Sequence, residues 1–532
     1  MIEPLENWQF TPVAFLALSL TFSILLYYIA WWGMPFLHQA AGNTIQRIAK
    51  NSAIPIASQL ANRAVDLVFA AFALRLLGVT GNGQYAIAVV TWLYLKTISD
   101  FGLSVLVTRE AARDPERAPD LLGASTLMRI LVLGLIAPFA VIYVMGGLAW
   151  FELAPVSAWA IAIMMLSIIP GSYGEAVNSV FNARERMELP AILNIFTNLA
   201  RFGLGLAALF AGFGVIGLAV AALLSTAVSA GAYHVSLRHL DIWPSWTITR
   251  EQITWFATVS WPLLLNALLL NLFFRVDVFV IQAAQGDTAL GTYDAAYKFV
   301  NMLIILPAYF TLAIFPILSR YATDGGEALL PVFHRASRFL LIIAWPITIA
   351  TLALAPWMIR ILGGEEFLPE SSDVLRVIIW FLPLSFVNGV IQYTLIAANQ
   401  QRTISGAFAL AVGFNFLANL LLVPIYGYMA AAVITILTEF VLFTPLALAM
   451  RRHVGSTQWL SLLGRPTFAG LVMGAIAWLL IPITGAIPAL IVAAIGFAGA
   501  LWIIGGIAPD DIRLLRRLVE RRGQNPDSDR SL

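Results

Sequence analysis

Gly83-Gln-Tyr85-Ala86 returns 208 residues later as Gly291-Thr-Tyr293-Asp294-Ala295. Three further echoes flank it at nearly the same spacing. Arg63-Ala-Val-Asp66 answers to Arg275-Val-Asp277 at 212, and Ala183-Arg184 to Ala398-Asn399 at 215. Gly214-Val-Ile-Gly217-Leu-Ala219 answers to Gly427-Tyr-Met-Ala430-Ala-Ala432 at 213. One such match is noise, whereas four in order at nearly one spacing mark a duplication. The interval holds an even number of apolar segments, so both copies enter a membrane in the same sense. Such a parallel repeat is related by an axis along the membrane normal, and two lobes built this way enclose a central cavity.

The chain around these motifs is apolar enough to require a membrane. It has 532 residues, 60% hydrophobic and 11% charged, with a mean hydropathy of +0.85. Soluble proteins carry roughly 25% charged residues, so a cytosolic enzyme, a nucleic-acid binder and a disordered chain are excluded. Hydropathy divides the sequence into about fifteen spans of roughly 20 residues. Their centres fall near Ile24, Leu67, Val90, Gly134, Met165, Gly203, Val220, Leu268, Ile304, Ile347, Leu384, Phe414, Ile436, Met473 and Ala493. Lipid offers no partner to a free backbone group, and the spans lack the alternation of a barrel strand, so each is expected to be a helix.

The expected architecture is therefore an all-α polytopic membrane protein. An extra N-terminal helix occupies 1–42, a six-helix lobe 43–240, a second six-helix lobe 241–453, two additional helices 454–508 and a basic tail 509–532. Glu3 and Glu6 precede the first span where a signal peptide would carry bases. The span reads as a retained helix, with a cleaved signal as the alternative. In the tail, Asp511 to Arg522 places leucines and arginines on different helical faces, suited either to anionic headgroups or to a solvated anchor.

Orientation follows from the basic residues. With the loop bearing Arg47 and Lys50 placed in the cytoplasm, alternate loops hold Arg109, Arg113 and Arg117; Arg184 and Arg186; Arg238 and Arg250; Arg320, Arg335 and Arg338; Arg402; and Arg451, Arg452 and Arg465. Opposite loops hold only Arg360 and Arg376, beside the acidic Gly363-Gly364-Glu365-Glu366. The positive-inside rule then gives an outside N-terminus, a cytoplasmic C-terminus and a place in the cell membrane.

Some charges do not sit in loops. Arg63, Asp66, Arg75, Lys96, Asp100, Arg129, Glu175, Arg201, Arg275, Asp277, Asp294, Lys298 and Glu439 fall inside predicted spans. A charge at that depth is costly and faces protein or water. One reading makes Arg63, Lys96, Arg201, Arg275 and Lys298 a cationic lining for an anionic headgroup such as phosphate or pyrophosphate, which an arginine fork binds bidentately. Asp66, Asp100, Asp277, Asp294 and Glu439 would then bind a coupling proton or sodium ion. The plainer reading is local neutralisation, since Arg63/Asp66 are i,i+3 and Lys96/Asp100 and Asp294/Lys298 are i,i+4. Arg201 has no acid within four positions. Arg75 and Arg129 lie near span ends and can snorkel. Asn415 and Asn419, with Asn194 and Asn198 as counterparts, read as helix-to-helix hydrogen bonds. Trp31, Trp32, Trp243 and Trp246 read as an interfacial belt.

Other chemistry is absent. There are no cysteines. His38, His234, His239, His334 and His453 lack the paired spacing of a zinc site. No lysine follows a glycine, so no Walker-A loop exists. No metal, cofactor or nucleic acid is expected.

Asp100-Phe-Gly-Leu103 followed by Thr108-Arg-Glu110 resembles the motif ending the second core helix of Wzx-type oligosaccharide flippases. Arg275-Val-Asp277, Gly291-Thr-Tyr293 and Ala295-Ala-Tyr-Lys298 resemble the start of their second lobe. Asn415-Phe-Leu-Ala-Asn419 with Pro424-Ile-Tyr-Gly427-Tyr-Met-Ala-Ala-Ala432 resembles their eleventh and twelfth helices. The likeness runs from about Asn43 to Arg452 and points to the multidrug/oligosaccharidyl-lipid/polysaccharide (MOP) exporter superfamily. It implies a non-enzymatic flippase that moves a lipid-linked oligosaccharide to the outer leaflet by alternating access. Membrane lipids, a coupling ion and a glycan polymerase or glycosyltransferases are its implied partners. The helix before the core departs from the usual pattern.

Three alternatives stand beside it. A MATE-like drug or metabolite exporter would favour an acidic or aromatic cavity. A membrane glycan polymerase or ligase would need a sizeable outer loop with catalytic groups, and the outer loops here are short. A lipid II flippase is a close relative of the favoured reading.

Overall fold

The computed structural model describes residues 44–323 and 326–505. The expected helix around Ile24 and the basic tail lie outside the described residues. Every secondary-structure element among the described residues is helical, as lipid demands of a spanning chain. In chain order these are α1 (Thr44–Asp100), α2 (Leu103–Arg113), α3 (Ala118–Trp150), α4 (Pro155–Ala183), α5 (Glu188–Phe210) and α6 (Gly214–Ser236). The second copy follows as α7 (Arg250–Arg275), α8 (Asp277–Leu303), α9 (Ile305–Thr323), α10 (Gly326–Gly363), α11 (Glu370–Ile378), α12 (Leu382–Ala397), α13 (Gln401–Tyr426) and α14 (Tyr428–His453). The chain ends its described part with α15 (Trp459–Thr484) and α16 (Ala486–Ile503).

Two runs are too long for one crossing. Ala61–Arg113 has 53 residues and Arg250–Ala322 has 73, against roughly 20 for a span. Gly102 at φ 75° parts α1 from α2, and α1 and α8 are themselves each interrupted by one glycine outside helical geometry: Gly78 at φ 67°, ψ −176° and Gly286 at φ 78°, ψ −175°. Positive φ suits glycine because no Cβ meets the backbone. Gly78 and Gly286 are again 208 residues apart. Twelve helical runs among the described residues are long and apolar enough to cross a membrane, against about fifteen expected from hydropathy. The expected centres Leu67 and Val90 flank Gly78 within one run, Leu268 and Ile304 flank Gly286 within another, and Ile24 lies outside the described residues.

The repeat has a physical meeting point. α1 packs more widely on α8 than on any other helix, and the two copies of the quoted motif touch there. A Cβ on Gly83 would lie 1.8 Å from the carbonyl oxygen of Asp287, and one on Gly291 would lie 1.9 Å from that of Val79. Backbone therefore approaches backbone, and only glycine fits at either position. Thr80 and Thr288 share a hydroxyl–hydroxyl hydrogen bond of 2.9 Å, and Asn82 Nδ2 donates to the carbonyl of Gly291 at 2.9 Å. Nearby, Glu366 Oε1 accepts the Val79 N–H at 3.4 Å, and Arg75 donates to the carbonyl of Ile361 at 2.7 Å. This end of the molecule is sealed by contacts between the copies.

Burial follows the solvent. Tyr293, Tyr297, Phe333, Phe381 and Phe386 fill the interior of the second copy. Leu135, Phe139 and Ile142 on α3, and Leu417, Leu421 and Ile425 on α13, point outward. Apolar patches of that size on a soluble surface would drive association; here they suit lipid. α15 and α16 pack against each other and onto α10, with Trp345, Met473 and Phe497 in the seam.

Candidate substrate cavity

Apart from Arg75, which donates to the Arg360 and Ile361 carbonyls, the intramembrane charges separate into three places. Arg63, Asp66, Lys96, Asp100, Glu175 and Arg201, joined by Arg129, line one cavity of about 720 Å³. Its walls come from α1, α3, α4, α5 and α6, so every lining residue belongs to the first copy. The expected cavity lay between the lobes; this one is cut into the first. Its lining reaches Asn182, Met187 and Pro190 beside the α4–α5 turn. Arg184 in that turn donates to the carbonyl of Pro115, which brings two arginine-rich turns together at this end.

The pairing inside the cavity differs from the pattern that spacing implies. Lys96 pairs across to Glu175 on α4 at 2.9 Å, not to Asp100 one turn away. Asp100 takes Arg129 of α3 at 2.9 Å, with Ser104 donating to the same oxygen at 2.6 Å. Arg129 does not snorkel: its side chain is 1% exposed, and its Nε and Nη2 donate to Asp100 and Ser104. Arg201 pairs with Asp66 on α1 at 3.0 Å and donates to Asn198 Oδ1 at 2.6 Å. Opposite charges on different helices compete with same-helix neighbours, and the shorter cross-helix approach wins.

These pairs are not equally committed. Arg129–Asp100 is buried on the arginine side, where removing one partner would strand a charge. Arg201–Asp66 and Lys96–Glu175 are each a third to two-fifths exposed to the cavity. Exposed pairs are worth about 0–1 kcal/mol, so an incoming anion can compete for them. Arg63 is exposed and has no ion-pair partner among the described residues. The lining carries four basic and three acidic side chains, leaving one cation uncommitted.

Between the charges lie carboxamides and aromatic rings, among which the sequence reading gives Asn194 and Asn198 only a helix-bonding role and leaves the others unassigned. Gln59, Asn62, Asn178, Asn182, Asn194 and Asn198 face the cavity with Tyr85, Trp92 and Tyr233. Asn198 does bond a neighbouring helix, donating to the carbonyl of Asn62 at 3.2 Å, but it also borders the cavity. The signal was present as asparagine pairs at i,i+4 on both α4 and α5. Asn415 behaves as expected, donating across to Thr438 of α14 at 2.9 Å, whereas Asn419 donates to Asn415 on its own helix at 2.9 Å.

The second place is a buried ion cluster on α7 and α8. Asp294, 2% exposed, lies between Arg275 at 3.2 Å and Lys298 at 2.6 Å. The Arg275 guanidinium also sits 4.4 Å over the Tyr297 ring, within cation–π range. Asp277 accepts the Tyr293 hydroxyl and the Val278 N–H. None of Arg275, Asp277, Asp294 and Lys298 lines the cavity. The third place is Glu439 on α14, which is buried and accepts from Asn388 Nδ2 at 2.7 Å.

A duplicated helical membrane chain with a polar cavity opening among its helices is, by class, a multi-pass transporter. Comparison with known proteins narrows the class. The model of the family described as polysaccharide biosynthesis protein matches residues 48–322, and that of the MatE family matches 262–425. The chain belongs to the polysaccharide biosynthesis protein family, within the MOP exporter superfamily. No curated protein sequence matches it. Among solved structures, a lipid II flippase MurJ in an inward closed conformation aligns with TM-score 0.69 at 14% identity, covering 87% of this chain and 99% of that one. An inward-facing multidrug resistance MATE transporter of the MOP superfamily aligns with TM-score 0.57 at 17% identity, covering 74% and 94%. A MOP superfamily transporter from Pyrococcus furiosus, described as having a binding pocket of reversed polarity, gives TM-score 0.50 at 14% identity, covering 79% and 99%. At these identities the likeness is one of fold.

Proposed function

We propose that the protein is a flippase for a lipid-linked oligosaccharide of the polyprenyl-phosphate type, serving cell-surface polysaccharide biosynthesis. The observation that carries this reading is the makeup of the cavity: cations that can be shared with an anion, set among carboxamides and aromatic faces. Arg63 and Arg201 would take the phosphate oxygens, with Arg201 exchanging Asp66 for the ligand. Asn62, Asn178, Asn182 and Asn194 offer the paired donors and acceptors that sugar hydroxyls need. Trp92 and Tyr85 offer apolar faces to the C–H side of a sugar ring. The polyprenyl tail would stay among the lipid-facing side chains.

In this reading the arginine-rich turns face the cytoplasm, so the cavity is loaded from that side while the Gly83–Gly291 contact closes the other. Alternating access would part that contact and close the loading side. The lobes proposed to move are 43–240 and 241–453, with 454–508 alongside. Neutralising Arg201 by alanine is expected to lower surface-glycan export severalfold at matched protein level and normal insertion. Normal export by Arg63→Ala/Arg201→Ala at matched level would remove the cavity from the mechanism.

A further inference from the structure

Glu439 differs from the other acids within the membrane helices. Its residue is 2% exposed, and among the described residues no arginine or lysine pairs with it. Asp66, Asp100, Glu175 and Asp294 each have such a partner. Asp277, the other buried acid without one, has a hydroxyl and a backbone N–H instead. Around Glu439, α12 brings only Asn388 and Ser385, whose side chains bond the carboxyl. From α8 Tyr297 lies within electrostatic reach of Glu439, and its hydroxyl is committed to the carbonyl of Phe274 at 2.7 Å. From α13, Asn415 and Asn419 serve Thr438 and each other. On α11, Arg376 is exposed and paired with Asp373 at 3.1 Å.

A carboxylate in that setting would have its charge offset by neutral donors alone, and burying an unpaired ion costs several kcal/mol. A second observation points the same way. Asn388 gives its Nδ2 to both Glu439 Oε2 at 2.7 Å and the Glu439 carbonyl at 3.0 Å, while its own Oδ1 is buried without a donor. Buried amide oxygens are seldom left so. A protonated carboxyl removes the charge and supplies the missing O–H, since acid and primary amide can each donate and each accept.

We infer that Glu439 and Asn388 form a proton-binding site in the second lobe, remote from the substrate cavity, and that this proton drives the transport cycle. While buried, Glu439 is a neutral acid. When movement of α12 against α14 admits water, the O–H bond breaks, the proton passes to water and the carboxylate remains. Re-closure requires the proton to be regained, from whichever side water then enters. The driving role rests on the flippase reading above, whereas the protonation does not.

Two measurements keep those apart. Infrared difference spectra of the purified full-length chain, wild type minus Glu439→Gln at neutral pH, should show a protonated-carboxyl C=O band that shifts in heavy water. A wild type without that band overturns the site, and so does its loss on adding sodium chloride, which would mark a cation site. Asn388→Leu should move the band by removing its amide partner. An unmoved band would assign the protonated acid elsewhere and overturn the pairing. In proteoliposomes with a fluorescent polyprenyl-diphosphate oligosaccharide as probe, a gradient of one pH unit should shift the wild-type distribution by up to about tenfold per proton. The same gradient should leave Glu439→Gln without response. A wild type that flips the probe yet ignores the gradient overturns the coupling. A wild type that does not flip the probe overturns the flippase reading, and the spectra alone then decide the proton site.

Discussion

Replacing Thr80 and Thr288 with cysteine tests whether the glycine contact between the copies must open. Their hydroxyl oxygens are 2.9 Å apart, so sulfur atoms in the same places lie within a small χ1 rotation of the ~2.05 Å S–S distance. The chain has no other cysteine to form a competing bridge. Two effects of opposite sign are expected. Reduced, the double variant loses one hydrogen bond worth about 1 kcal/mol, so the sealed state weakens and probe movement stays within about fivefold of wild type. Oxidised, the bridge closes a loop of about 208 residues, an entropic constraint on the unfolded chain of about 5 kcal/mol. Its larger consequence is mechanical, because the copies cannot part at Gly83 and Gly291. Flipping in proteoliposomes should fall to the protein-free background on mild oxidation and return with dithiothreitol. Bridge formation is read independently as a mobility shift on non-reducing gels. Wild-type flipping by fully bridged protein would refute alternating access through this contact.

Three further outcomes follow from the same contacts. Gly291→Ala puts a methyl 1.9 Å from the Val79 carbonyl oxygen, so the seal must spread. The variant should admit water-soluble thiol reagents to a cysteine at position 80 faster than the Thr80→Cys parent does. Arg129→Ala leaves Asp100 without its cation in a mostly buried place, which costs about 3 kcal/mol; a clear fall in the thermal unfolding midpoint in detergent should report it. Arg275→Ala should likewise lower that midpoint, but less, because Lys298 still faces Asp294 at 2.6 Å. It should leave binding of a soluble pyrophosphate-linked glycan by titration calorimetry unchanged, since Arg275 is not in the cavity wall.

The helical class, the duplication and the placing of Arg63, Lys96 and Arg201 inside apolar spans were all legible in the sequence. Span length and repeat spacing are set by the bilayer and by backbone geometry, which act locally. Pairing was legible only for Asp294 and Lys298, which do meet at i,i+4. Lys96 and Asp100 are one turn apart, yet Glu175 and Arg129 take them from helices 79 and 29 residues away in the chain. Spacing shows which partners are possible; helix packing decides which are nearest. The same limit hid the division of the charges. Arg201 and Arg275 are both basic residues in apolar spans, but one borders a cavity and the other is locked beside Asp294. The asparagines were visible but ambiguous, since an amide that bonds a helix and one that faces a cavity read alike in sequence.

The central claim is that cations within the first lobe receive the phosphate of a lipid-linked glycan. Its most direct test is dithionite protection of a fluorescent polyprenyl-diphosphate oligosaccharide in proteoliposomes, run beside lipid II and a cationic dye. Wild type should move the oligosaccharide in preference to both, and Arg63→Ala/Arg201→Ala should slow it at least tenfold without loss of folded protein. Equal movement by the double variant, or transport of the dye in place of the glycan, would contradict the account.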